Sequence, residues 1–336
     1  MKRILFYSSV NSLELFKTQK FYQIDISILK DLGYDVLLSN RIFDSLLFWK
    51  YDILFSYFYR YSFFAALLAK CFGKKTYFTG GIDSLDSDYA SAFNYKIQAL
   101  FFKLCYWVAD SCIIVSQSDL KNIFKVSSLK KKLSYSEHVI NTKLFIADVP
   151  KEKIFTSIVW MGDEGNVVRK GVDKALQIFA ELKKIPEFVD YRFVIIGRKG
   201  EVLVRSIIDK YNLKGSVELK GEVSEEDKIN LLKQSKYYFQ LSLYEGFGLA
   251  ALEALCANNI IIHSGKGGLA NPIYKEQLLF DIDNDFDSEL LKLVNKLACF
   301  TPITSYDNLL EYYDIQRRKD DFEAIIVNGK SNYKLK

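Results

Sequence analysis

The sequence predicts an α/β protein built from two doubly wound domains. Short apolar runs alternate with longer stretches of helical period from end to end, the pattern of parallel strands covered by helices on both faces. The runs are rich in Val, Ile, Phe and Tyr with little polar alternation, as strands buried on both sides require. At 336 residues the chain exceeds one ordinary core, and two domains of about 150 residues each are expected.

In the first half the expected strands are RILFYS (3–8), YDVLLS (34–39), YDILFSYF (51–58), KTYFTG (75–80), SCIIVS (111–116) and KLSYSE (132–137). Helical stretches at 14–32 and 91–109 lie between them. The rhythm repeats in FTSIVWMG (155–162), YRFVIIG (191–197), SVELKG (216–221), KYYFQLS (236–242), NIIIHS (259–264) and LLFDI (278–282). Pro150, one of only four prolines, precedes a charged patch and marks the seam. The expected domains are therefore 1–149 and 150–312, with a helix and polar tail over 313–336 that returns to the first domain. Ligands of open α/β sheets bind beyond the carboxyl ends of the strands, so two such domains facing each other would enclose a cleft.

Composition narrows the function. Nearly half of the residues are apolar and a quarter charged, as in a soluble globular protein. The five cysteines (71, 105, 112, 256, 299) show no paired or metal-ligand spacing, which suits reduced thiols in a cytoplasm. With only His138 and His263, a histidine-based metal site or triad has little to work with. The opening MKRILFYSSV reads as a strand rather than a leader. The best membrane-span candidates are interrupted by Arg60, and by Lys103 and Asp110.

Charge is uneven: residues 1–149 hold 19 Lys/Arg against 13 Asp/Glu, the remainder 27 against 28. Aromatics share the bias. An anionic membrane surface is therefore a candidate partner of the first half, and an abundance of Tyr, Phe and Lys throughout the proteome is the plain alternative. Residues 48–75 interleave aromatics with Lys50, Arg60, Lys70, Lys74 and Lys75. A buried strand over 52–58 followed by a core helix accounts for much of that stretch. Nucleic acid is disfavoured, because the basic residues form no known binding module.

The stretch SLYEGFGLAALEAL (242–255) places two carboxylates, Glu245 and Glu253, around a Gly-Phe-Gly turn. It reads as strand, turn and a helix from about Leu249. Glycines there let backbone amides approach a ligand, and exposed helix-start N–H groups favour phosphate or hydroxyl. A carboxylate can accept two hydroxyls of a sugar diol. Equally, Glu253 can be an acid favoured by the helix macrodipole. The spacing alone leaves both readings open.

SLYEGFGLAALEALCANNIIIHS as a whole resembles the Glu-x7-Glu signature of retaining GT-B glycosyltransferases of family 4. RKGVDKALQIFAELKK, YRFVIIGRKG, SVELKGEVSEEDKINLLKQSKYYFQLS and GKGG (265–268) resemble further segments of that family in the same order, as do VADSCIIVSQSDLKNI and HVINTKLF. The likeness is good over about 105–270; the first 100 residues match only in rhythm. It implies a GT-B fold, an α/β pair of Rossmann-like domains facing a central cleft. It implies a transferase of hexosyl type acting on a nucleoside-diphosphate sugar, UDP- or GDP-type. No metal or other cofactor is implied, because a lysine and helix-start amides stabilise the departing diphosphate.

Carried over by position, Glu253 matches the ribose-binding carboxylate and Glu245 the one near the transferred sugar. Gly246, Phe247, Gly248 and Leu249 would offer amides to sugar and diphosphate. Lys170 matches the lysine at the leaving group. Val223 would touch the base, and Gly197 and Arg198 would border the nucleotide. Two departures stand out. Asp163 follows Gly162 where the family usually has arginine, leaving Arg169 as a substitute. YFTGGIDSLD lacks the family's histidine, and Asp83 is the nearest polar residue on the acceptor side, or else a turn acid capping a helix. His263, at a strand end where a small residue is usual, is expected to be structural.

The expected function is transfer of a sugar to a hydroxyl of a glycan or lipid-linked acceptor in bacterial surface polysaccharide or glycoconjugate synthesis. The expected location is the cytoplasm, with peripheral association on the inner face of the plasma membrane. A non-catalytic glycosyltransferase-like binding protein, silent to donor, and a GT-B sugar-nucleotide epimerase, active without acceptor, are the alternatives.

Overall fold

A computed structural model describes residues 1–146, 149–300 and 307–330. The chain divides into two compact units, Met1–Ile140 with Tyr313–Lys336, and Asn141–Tyr312. The change of unit thus falls at Ile140, ahead of the expected boundary at 149.

Unit 1 runs β1 (Arg3–Ser8), α1 (Leu15–Thr18), α2 (Lys20–Asp31), β2 (Asp35–Ser39), β3 (Ile53–Tyr57), α3 (Ser62–Cys71), β4 (Lys75–Thr79), α4 (Ala92–Val108), β5 (Ser111–Ile114), α5 (Gln117–Val126) and β6 (Leu133–Tyr135). The helical stretch expected over 14–32 is interrupted where Gln19 turns extended (φ −90°, ψ 120°). Its six strands pair in parallel in the order β2-β1-β3-β4-β5-β6. Alternation along β1 sends Ile4 and Phe6 into one core and Leu5 and Tyr7 into the other, the two-sided burial that continuous apolar strands predict. β3 is buried throughout, so residues 53–57 belong to the core.

Unit 2 runs β7 (Glu152–Ile158), α6 (Glu164–Arg169), α7 (Val172–Leu182), β8 (Arg192–Ile196), α8 (Glu201–Lys210), β9 (Val217–Gly221), α9 (Glu225–Gln234), β10 (Ser235–Gln240), α10 (Leu249–Cys256), β11 (Ile260–His263), β12 (Leu278–Leu279), α11 (Phe286–Cys299) and α12 (Asp307–Tyr312). The sheet is again parallel, ordered β12-β11-β10-β7-β8-β9. Counted from β7, that is the doubly wound order 3-2-1-4-5-6 read from the other edge. Phe155 stacks between Tyr237 and Phe239 at 4.6 and 5.1 Å on one sheet face. Ile154, Val194, Ile196 and Leu231 fill the other.

After unit 2 the chain returns to unit 1 as α13 (Ile315–Phe322), ending in a π turn over Glu323–Val327. Phe322, Ile325 and Ile326 join the core around Ile4, Phe6 and Phe55.

Candidate functional site

In unit 2 the strand order reverses between β7 and β10, and a doubly wound sheet opens a crevice beyond the carboxyl ends of such a strand pair. Both chain segments that leave this point carry residues singled out in the sequence. After β7, Asp163 caps α6 by accepting the Asn166 N–H at 2.8 Å. The position where arginine was expected thus starts a short helix that ends at Arg169 and Lys170. After β10, residues 241–248 form the turn into α10.

These segments are fastened together. The Leu243 N–H donates to the Arg169 carbonyl at 2.8 Å. Gly171, at φ +67°, lies so close to β10 that a Cβ there would come within 2.0 Å of the Leu241 carbonyl oxygen. Only glycine suits both the left-handed backbone and the approach. Lys170 Nζ consequently donates to Glu245 Oε1 at 2.6 Å, with both side chains largely buried. The same oxygen accepts from Gln240 Nε2 at 2.9 Å and Ser242 Oγ at 2.7 Å. Three donors on one carboxylate oxygen fix the orientation of the Glu245 side chain.

Glu253 lies one turn into α10 and is buried. Its Oε2 accepts from Lys228 Nζ of α9 at 2.7 Å. The Tyr238 hydroxyl stands near both carboxylates; burial raises its pKa first, and the charges of Glu253 and Glu245 raise it further. Gly248 caps α10 with a left-handed backbone (φ +86°) and no side-chain cap, leaving the first-turn amides without a capping side chain. Phe247 is buried, while Gly246 and Leu249 are half-buried.

The loop after β11 closes on this turn. The Gly268 N–H donates to the Glu245 carbonyl at 2.6 Å, and a Cβ on Gly268 would lie 2.5 Å from Phe247 Cα. His263 is structural. Gly265 N–H donates to its Nδ1 and its Nε2 faces the Tyr274 carbonyl at 3.1 Å, while burial pushes the imidazole down to about 4.

The remaining expected residues are dispersed. Arg169 turns back along its helix, its Nε donating to Asn166 Oδ1 at 3.0 Å. Gly197 packs against the Val159 carbonyl, where a Cβ would reach within 1.9 Å. Arg198 is half exposed and pairs with Glu222 at 3.5 Å. Val223 borders a hollow of about 500 Å³ between β8, β9 and α9. Asp83 lies in unit 1, exposed at the start of a 3-10 turn after β4. Lys228, Gln240 and Ser242 were not anticipated. Lys228 sits behind an acidic first turn (Glu225, Glu226, Asp227), and nothing in its own stretch points to a carboxylate 25 residues on.

Two parallel Rossmann-like units of this kind define a GT-B protein. HepE of Anabaena, solved in complex with UDP and glucose, superposes with a TM-score of 0.74 over 98% of this chain and all of HepE at 12% identity. Sucrose-phosphate synthase of Thermosynechococcus elongatus gives 0.65 over 98% and 97% of the two chains at 16%. Residues 165–297, most of unit 2, match the family Glycosyl transferases group 1. A GDP-mannose:cellobiosyl-diphosphopolyprenol alpha-mannosyltransferase of Xanthomonas oryzae is 32% identical over 42% of this chain and 40% of its own length. A human phosphatidylinositol N-acetylglucosaminyltransferase component is 29% identical over 31% of this chain and 21% of its own. The chain thus spans less than half the length of these curated relatives.

Proposed function

We propose that the protein is a retaining glycosyltransferase of family 4 that moves a sugar from a UDP- or GDP-sugar to the hydroxyl of a glycan or lipid-linked acceptor. The observation that carries this reading is the Lys170–Glu245 pair beside the uncapped start of α10, with Glu253 one turn further on. In this reading Glu253 accepts the ribose hydroxyls, sharing its charge with Lys228. The amides of Gly246 to Leu249 receive sugar and diphosphate, and Val223, Gly197 and Arg198 border the nucleotide.

The anomeric C–O bond to the diphosphate breaks, and the acceptor oxygen bonds to the same face of the anomeric carbon. The acceptor's proton passes to the departing phosphate oxygen. Charge building on that oxygen is met by Lys170 and the α10 amides, preorganised donors that supply what a metal ion would otherwise supply. Lys170 has three N–H donors and commits one to Glu245, so it can anchor Glu245 near the sugar and still reach phosphate. Arg169 would need to turn away from Asn166 to assist, and Asp83 is the acceptor-side residue of this reading.

The names of the mannosyltransferase and of the phosphatidylinositol enzyme support a lipid-linked acceptor. Synthesis of a surface polysaccharide or glycoconjugate, at the inner face of a plasma membrane, is the setting that follows.

The test is a thermal-shift and calorimetric screen against UDP, GDP, ADP and their common sugar conjugates. One nucleotide should raise the melting temperature; saturation at 100 times Kd stabilises by about 2.7 kcal/mol. Lys170→Ala and Glu253→Ala should each lose most of that shift. If no nucleotide binds, or if both variants bind as wild type does, the donor site is not here.

A further inference from the structure

Among the described residues nothing covers the outer face of α4 in unit 1, and this face has no role in the donor site. α4 buries Gln98, Phe102, Cys105, Tyr106 and Val108. On the other side Phe93, Leu100 and Trp107 follow one another at intervals of seven, close to two helical turns, and so form one stripe. They are 73%, 56% and 67% exposed. Lys96 and Lys103 are exposed in the gaps between them. Phe64 of α3, itself exposed, leans on Phe101 of α4 at 6.1 Å and widens the apolar surface. An apolar face this large on a stable fold marks an interaction surface.

Charge identifies the occupant. Neither α3 nor α4 contains a carboxylate. At the Trp107 end, Lys132 donates to the Trp107 carbonyl at 2.8 Å. There it borders a hollow of about 240 Å³ that Lys75 and Lys131 also line. Among the described residues lining that hollow the one acid, Asp110, is neutralised by Lys70 at 2.8 Å. Aromatic rings set among lysines suit the boundary of an anionic bilayer, where rings enter between headgroups and ammonium groups meet lipid phosphates. Pairing with a second copy of the same face would set lysine against lysine.

We propose that unit 1 docks on an anionic phospholipid bilayer through the outer face of α4, with Phe93, Leu100 and Trp107 inserted and Lys96 and Lys103 on the phosphates.

Vesicle co-sedimentation of the full chain tests this, with phosphatidylcholine alone and with phosphatidylcholine containing phosphatidylglycerol. Binding should favour the anionic vesicles by about tenfold or more and fall as salt rises. Phe93→Ser/Leu100→Ser/Trp107→Ser and Lys96→Glu/Lys103→Glu should each lose it, with melting temperatures unchanged because every altered side chain is exposed. In a Trp49→Phe/Trp160→Phe background, the emission of Trp107 should shift to the blue on anionic vesicles. No binding, equal binding to both vesicles, or binding that survives both sets of substitutions overturns the proposal. So does a dimer in light scattering that the same substitutions dissolve, which would make the face a contact between copies. Nucleotide binding in unit 2 is read separately, so either proposal can fail alone.

Discussion

Asp119 is a buried carboxyl whose surroundings oppose its charge. It sits on the third residue of α5, where its N–H is taken by the Ser116 cap at 3.1 Å. Its Oδ1 accepts the Ile82 N–H at 3.3 Å, while Oδ2 has no partner. Burial, and then the nearby carboxylate of Asp83, pushes its pKa up to about 8 against an ordinary value of 3.8; the bonds from Ser116 and Ile82 only partly oppose this. The folded chain therefore keeps a proton between about pH 4 and 8 that the unfolded chain releases. Stability is greatest below that window and falls as pH rises through it, by up to about 1.4 kcal/mol per unit, then levels off above pH 8. Asp119→Asn keeps the acceptor for Ile82 and removes the proton. Melting temperatures of the two proteins from pH 5 to 8 should diverge, with the variant increasingly the more stable; parallel curves would show that Asp119 is already ionised. Nothing in the stretch QSDLKNI marks this residue, because Asp119 looks there like an ordinary first-turn acid. Glu245, Glu253 and Lys170 are singled out through the family resemblance, since the spacing alone leaves a structural reading open. Lys228 acts across the fold on a carboxylate 25 residues on, and no spacing encodes it.

Among the elements, the joint between α7 and β10 decides whether Lys170 reaches Glu245. Gly171 combines a left-handed backbone with contact against the Leu241 carbonyl. Gly215 has a similar backbone (φ +79°) with nothing within 4 Å of a would-be Cβ. Alanine at Gly215 should cost only the left-handed strain, about 1–2 kcal/mol. Gly171→Ala must also push the lysine turn off β10, so it should cost more and abolish donor binding. Urea unfolding and nucleotide calorimetry on the two variants separate these effects; equal costs with intact binding would show that the joint yields easily. The strands themselves were legible, since an apolar run buried on both faces leaves little choice of structure. The break at Gln19 was not, because helical period continues across it on both sides.

At the scale of the molecule, the chain leaves unit 1 at Ile140 and completes it only on its return. The tail could be read as a helix, but its anchor could not, since the partner lies 293 residues away. Arg318, fully buried, donates to both oxygens of Asp25 at 2.7 and 2.8 Å. The Tyr57 hydroxyl donates to the same carboxylate, and Arg318 also donates to the carbonyl of Ser136. α13 thereby ties α2, β3 and the segment after β6 into one buried polar network. Removing one partner of such a pair leaves a charge without compensation and costs about 3–5 kcal/mol. Arg318→Ala should therefore destabilise unit 1 selectively: hydrogen exchange should quicken in β1, β3 and α2 and stay slow in β7, β8 and β10. Arg318→Met/Asp25→Leu, which removes both charges and keeps apolar volume, should recover much of the loss. Exchange that quickens equally in both units would mean the two sheets unfold as one, and that the returning helix stabilises the whole chain rather than the unit it completes.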